Sequence, residues 1–178
     1  MKENKTIISN IEKAKREILE ILETVHDPEI PVLSVIDLGI VRDIQLNSLP
    51  LGDEDGAVII TPTYSGCPAM DVITMNIRLA LLEHGYKNIN VKTVLSPAWT
   101  TDWMTKKGKE KLKTYGIAPP HSVQAVCTID AFAEEEAIQC PHCNSYHTKL
   151  ISRFGSTACK ALYQCEDCKE PFDYFKCH

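Results

Sequence analysis

Two Cys-x-x-Cys pairs, Cys140-Pro-His-Cys143 and Cys165-Glu-Asp-Cys168, lie in the last fifth of the chain with 21 residues between them. Two thiolates three residues apart on one tight turn can share an ion, and a second such turn brought back by a hairpin completes a tetrahedron of sulfur. The separation is one residue beyond the roughly 15 to 20 usual for such ribbons. The spacing therefore predicts a metal site built from Cys140, Cys143, Cys165 and Cys168. It does not choose the ion: zinc would be structural, whereas iron in the same cage would pass an electron. His142 and His147 are alternative ligands, disfavoured while four cysteines are in register. Two disulfides would need an oxidising compartment. Met1 is followed by Lys2, Glu3, Asn4 and Lys5, and no apolar run reaches signal-peptide or membrane-spanning length. A cytoplasmic location with reduced thiols, and no membrane partner, is the expectation.

A fifth cysteine has a different setting. Thr61-Pro-Thr63-Tyr-Ser-Gly-Cys67-Pro68 puts Cys67 between the end of a strand and the first turn of a helix. Unpaired N–H groups and partial positive charge at a helix start favour thiolate over thiol, so Cys67 is expected to be a competent nucleophile or metal ligand. The alternative is a buried cysteine serving as a small apolar cap. No His or Lys lies near enough in sequence to act as its base, which disfavours hydrolytic or transferase chemistry. Asp37, within Ile36-Asp-Leu-Gly39, either caps a turn or faces Cys67 across the top of a sheet. Cys127 reads as a strand residue, and Cys159 and Cys177 as core residues or reserve ligands. His26, His84, His121 and His178 show no ligand spacing.

These groups need a scaffold, and 178 residues that are 44% hydrophobic and 24% charged can supply one full core plus a small appendage. A net charge of −5 and a pI near 5.7 argue against a nucleic-acid partner, which needs a basic face. The basic cluster Lys106, Lys107, Lys109, Lys111 and Lys113 falls on a predicted helix and reads as a solvated face.

Ser9-Asn-Ile-Glu12 has the pattern of a capping box, and Ile11, Ala14, Ile18, Ile21, Leu22 and Val25 recur at helical spacing up to the break at Asp27-Pro28. Residues 40–46 and 57–61 are rich in β-branched side chains and flank the polar loop 50–56, as in a hairpin. Pro68 suits the first turn of a second helix with the stripe Met70, Ile73, Ile77, Ala80, Leu81 and His84, and Gly85 stops it. A third strand is expected over 88–95. A third helix, capped by Thr101 or Asp102, runs to Tyr115 and Gly116, with Trp99 and Trp103 packing its start against the sheet. The fold class is α+β: a two-layer α-β-β-α-β-α domain with a mixed sheet over 1–120, a linker over 121–137, and a four-cysteine zinc ribbon over 138–178. A ribbon of some 40 residues has too little core to fold without its metal.

Asp27-Pro-Glu-Ile-Pro31, Ser34-Val-Ile-Asp-Leu-Gly-Ile-Val41, Thr61-x-Thr63 and Gly66-Cys-Pro68 resemble the recurrent segments of the small α/β iron–sulfur assembly family that includes SufT and the eukaryotic cytosolic cluster-targeting proteins. The resemblance covers about Ile11 to Gly116. It implies that Cys67, Asp37 and Thr63 share a surface patch that handles iron–sulfur material transiently, with Cys67 as the cluster-handling thiol. Ser96-Pro-Ala-Trp-Thr-Thr-Asp-Trp-Met-Thr105, Gly116-Ile-Ala-Pro-Pro120 and the run from Phe154 to Cys177 resemble the PaaD family, the phenylacetate-degradation branch that ends in a zinc ribbon. What this implies is an accessory or maturation role in the multicomponent phenylacetyl-CoA ring epoxidase, a monooxygenase system. The implied partners are the reductase subunit, with its flavin and two-iron ferredoxin cluster, and the non-haem di-iron catalytic subunits. Zinc is the implied resident metal, and the chain is not expected to be catalytic on its own.

One thiol supplies a fraction of a cluster's usual four ligands, so delivery, or sharing across a homodimer, fits better than a stable cluster in one chain. Two other readings stay open at this point. The chain would be an integral redox or structural subunit of the epoxidase if the cage held iron, or a nucleic-acid-binding ribbon, which the acidic balance disfavours.

Overall fold

The computed structural model describes residues 2–46, 56–120 and 138–176. The chain divides into two units, Met1–Ala98 and Trp99–His178. In the first, α1 (Lys2–Glu23) buries Ala14, Ile18, Ile21 and Leu22, the stripe its periodicity predicts. It starts at Lys2, so Ser9-Asn-Ile-Glu12 lies inside the helix instead of capping it. No Gly or Pro interrupts 2–9, and Lys and Glu are good helix formers, so nothing local stops the helix there. β1 (Val41–Leu46) pairs antiparallel with β2 (Gly56–Ile60), and β2 pairs parallel with β3 (Ile89–Thr93). The parallel pair requires a crossover, which α2 (Ala69–Glu83) provides. The result is the expected mixed sheet, in the order β1-β2-β3. The expected loop 50–56 lies outside the described residues except for Gly56, which opens β2.

α2 buries Ala69, Ile73, Ile77 and Leu81, while His84, drawn into the stripe by spacing, is exposed and bonds back to the Ala80 carbonyl. Gly85, at φ +90°, ends the helix where side chains seldom follow. Ile73, Ile77 and Leu81 are 1% exposed or less. Burial of each is worth about 1.5 to 3 kcal/mol, and together they anchor the helix that follows Cys67.

In the second unit a short 3-10 turn, Thr101–Trp103, precedes α3 (Lys106–Tyr115). The cap of α3 is Thr105, whose Oγ1 accepts from the Gly108 N–H at 2.9 Å, instead of Thr101 or Asp102. Thr101 is buried, and the extended backbone of Met104 separates it from the helix. Gly116 closes α3 at φ +91°, as expected.

β4 (Ile117–Ala118) pairs parallel with β7 (Pro171–Phe175), which pairs antiparallel with β6 (Lys160–Cys165), itself antiparallel to β5 (Thr148–Ser152). The division at 98/99 falls before the third helix. Ile117 and Ala118 bond to β7 opposite Asp173 and Tyr174, and the buried Trp99 ring meets Phe175 edge-on at 6.1 Å. The expected linker 121–137, with Cys127 and His121, lies outside the described residues, as do Cys177 and His178.

Candidate metal centre and the Cys67 loop

The two knuckles are near-copies of one another. Cys140 N–H donates to the Ser145 carbonyl and Cys165 N–H to the Glu170 carbonyl, five residues on in each case. Each turn then needs a left-handed residue directly after its second cysteine: Asn144 at φ +62° and Lys169 at φ +66°. The Ser145 hydroxyl donates to the Asp167 carboxylate and ties one knuckle to the other. His147 also pairs with Asp167. Those two partners, Ser145 first, hold the Asp167 carboxyl below its ordinary value.

This geometry brings Sγ of Cys140, Cys143, Cys165 and Cys168 within 4.8 Å of one another, with 3.8 Å between Cys140 and Cys168 and 3.5 Å between Cys143 and Cys165. A tetrahedral zinc with bonds of about 2.3 Å requires sulfurs about 3.8 Å apart, so the four thiols fit one such ion. A disulfide needs about 2.05 Å, and all four thiols are free.

Their protonation is unequal. N–H groups of Cys168 and then Asp167 bring the Cys165 thiol down to about 7. The Glu170 N–H pulls the same way on Cys168, but desolvation and the three neighbouring sulfurs push it up to about 12. Four thiols this close cannot all ionise alone, and a divalent cation removes that conflict. His142 and His147 are both exposed and stand outside the sulfur cluster.

Cys67 sits in the turn between β2 and α2. Its N–H donates to the Tyr64 carbonyl, and its own carbonyl accepts from Met70. The thiol is half-buried, and burial raises its pKa above the ordinary value. The Ala69 N–H at the helix start opposes this, as helix polarity predicts, while the charges of Glu29 and Asp27 raise the pKa further. Burial and these two charges thus act against the ionisation that the helix start alone would favour.

The carboxylates acting on Cys67 ride on the loop after α1. Asp27 is buried, and its Oδ1 accepts from the N–H groups of Glu29 and Ile30 at 2.7 and 2.8 Å. Asp37 is also buried: its Oδ2 accepts from Ser34 N–H, and Ser34 Oγ accepts from Asp37 N–H. That reciprocal bond is the turn-capping alternative for Asp37. Thr63, half-buried, lies on the Cys67 turn. Sequence spacing passed over Glu29 as an electrostatic neighbour, although Asp27-Pro-Glu29 stood out as a motif.

A family model described as PaaD zinc beta ribbon domain matches residues 125–176, and one described as iron-sulfur cluster assembly protein matches 15–94. A protein of Escherichia coli (strain K12) named as part of a "Putative 1,2-phenylacetyl-CoA epoxidase" is 49% identical over 163 residues, 90% of this chain and 92% of that one. The chain belongs to the PaaD family. The two family-model matches fall on either side of the 98/99 division. A "Fe-S protein maturation auxiliary factor" of Porphyromonas gingivalis (strain ATCC BAA-308 / W83) is 31% identical over 103 residues, 56% of this chain and 91% of its own length. Among solved structures, the domain of unknown function DUF59 from Bacillus anthracis aligns with TM-score 0.51 and 25% identity, over 57% of this chain and 92% of that one. Among the described residues no helix is long and apolar enough to cross a membrane.

Proposed function

We propose that this chain is a maturation factor for a phenylacetyl-CoA epoxidase, carrying iron–sulfur cargo on Cys67 to the reductase subunit in the cytoplasm. The observation that carries this reading is the place of the free, half-buried Cys67 thiol, in the turn at the start of α2 with the charges of Glu29 and Asp27 acting on it. Such a field suppresses nucleophilic attack but favours a cation. On loading, an iron–sulfur(Cys67) bond forms as the donor's thiolate leaves the iron, the Cys67 proton passes to that departing thiolate, and the two carboxylates offset the cargo's positive charge. On delivery a client thiolate replaces Cys67, the proton released by the client thiol returns to Cys67, and no oxidation state changes. Asp37 and Ser34 fix the turn that follows Glu29, and Thr63 holds the other side of the patch. Zinc on Cys140, Cys143, Cys165 and Cys168 shapes the surface that docks the reductase or the catalytic subunits, and supplies no redox chemistry.

The test is iron and labile sulfide in the reductase purified from cells whose copy of this chain carries Cys67→Ser. Lower cluster occupancy with unchanged folding and zinc content supports the reading, and full occupancy ends it. A second reading rests on the sulfur cage itself, whose spacing also suits iron. Ferric–thiolate absorption with a one-electron reduction would make the chain an integral redox subunit. Colourless protein with one zinc per chain would dismiss that.

A further inference from the structure

α2 is apolar on two sides. Ile73, Ile77 and Leu81 enter the core, while Val72, Met75, Leu79 and Leu82 are 47%, 57%, 50% and 51% exposed. At about 100° per residue the second set lies roughly half a turn away from the first, facing outward. A helix that is hydrophobic all round belongs inside an assembly, and contiguous exposed apolar surface marks a contact.

The outer residues are spaced three, four and three apart, the a and d positions of a two-stranded seam. With Val72 at a, the flanking g positions are Asp71 and Arg78 and the flanking e positions are Asn76 and Glu83. Arg78 and Glu83 are five residues apart, about 140° round the helix, and cannot reach each other. Neither makes an ion pair among the described residues.

In a parallel pair of identical helices, a g residue meets the e residue five positions further along the other strand. Arg78 of each copy then meets Glu83 of the other, twice by symmetry. An antiparallel pair with the same seam overlapped stacks Val72 on Leu82 and Met75 on Leu79, but brings the two Arg78 side chains together. The charges thus select a second copy of this chain, in the parallel arrangement.

We propose that the outer face of α2 is a homodimer interface in which two α2 helices run parallel about a two-fold axis. Both helices are already folded on their own cores, so pairing need not meet the ordering cost of a free helix. The pairing sets both α2 N-termini, and with them both Cys67 turns, at one end of the dimer. It does not depend on the cargo that Cys67 carries.

Sedimentation equilibrium of the full chain across the micromolar range should show a monomer–dimer equilibrium. Leu79→Glu should weaken the dimer at least about tenfold, with circular dichroism and zinc content unchanged. Arg78→Glu should weaken it as well, and adding Glu83→Arg to that variant should restore it. Under oxidation Met75→Cys should give a dimer cross-linked from position 75 to position 75, because d faces d in a parallel seam. A monomer throughout that range, a dimer indifferent to Leu79→Glu, or cross-linking of Met75→Cys only when Leu79→Cys is also present would each overturn the proposal. Protection of α2 from hydrogen exchange only on adding a different protein would overturn it too.

Discussion

A thiol beside two carboxylates answers to cations more than to electrophiles, and Cys67 can be tested on that point alone. Burial, Glu29 and Asp27 hold its pKa above the ordinary 9.0, so its rate of alkylation should climb with a midpoint above that value. Glu29→Gln removes one raising charge while leaving burial and the Ala69 N–H in place. Alkylation of Cys67 near neutral pH should then rise roughly two- to fivefold while metal uptake falls, a pairing that a merely structural cysteine would not show. Because the folded chain holds this proton more tightly than the unfolded one, its contribution to stability is complete below the ordinary pKa and is lost as pH rises past it. The position of Cys67 was legible in Gly66-Cys67-Pro68, since proline and glycine punctuate chains locally. Its ionisation was not, because the responsible carboxylates lie some forty residues upstream and only the fold brings them near.

Secondary elements carry their own strain and their own ion pairs, and the knuckles show both. Asn144 and Lys169 occupy equivalent left-handed positions, but asparagine tolerates that conformation and lysine does not. Lys169→Gly should stabilise the ribbon by about 1 kcal/mol, read as a higher midpoint in thermal unfolding of the zinc-loaded chain, and Lys169→Asn by roughly half as much. In the sheet, Lys160 on β6 is 7% exposed at its side chain and meets Asp173 on β7 at 3.2 Å, with Ser156 donating to the same carboxylate. Asp173→Ala leaves that lysine buried without its counter-ion and should cost about 3 kcal/mol by denaturant unfolding. Lys160→Met in the same background should recover most of the loss. Faces of helices were readable from period, as Ile73, Ile77 and Leu81 show, but their ends were not. Ser9-Asn-Ile-Glu12 looks like a start and lies within α1, whereas Thr105, which does cap α3, follows two equally plausible candidates. A capping residue is chosen by where the preceding backbone turns, and at Thr101 burial took the side chain instead.

At the scale of the whole chain, the pairing of β4 with β7 was not legible in the sequence, because β4 is two residues long and its partner lies more than fifty residues further on. No periodicity survives in Ile117-Ala118. The consequence is that α3 and β4 should share the fate of the metal site. Cys140 and Cys165, the first ligand of each knuckle, are also core residues, packed with Ala118, Ile138, Ala161, Phe172 and Tyr174. Remove the ion and the crowded thiols must take up protons, each knuckle loses its closure, and this core is too small to compensate. Chelation, or lowering the pH until the thiolates are protonated, should therefore unfold the strands β5 to β7, free β4 from β7 and release α3. The first unit should stand, because Ile18, Leu22, Ile60, Ile73, Ile77 and Leu81 owe nothing to the ion. Hydrogen exchange on the zinc-stripped chain should show protection confined to Met1–Ala98 and lost from Trp99 onward. Protection persisting in 106–118 would mean that α3 draws its stability from elsewhere, and a protease-resistant second unit without metal would show that the four cysteines do not hold it together.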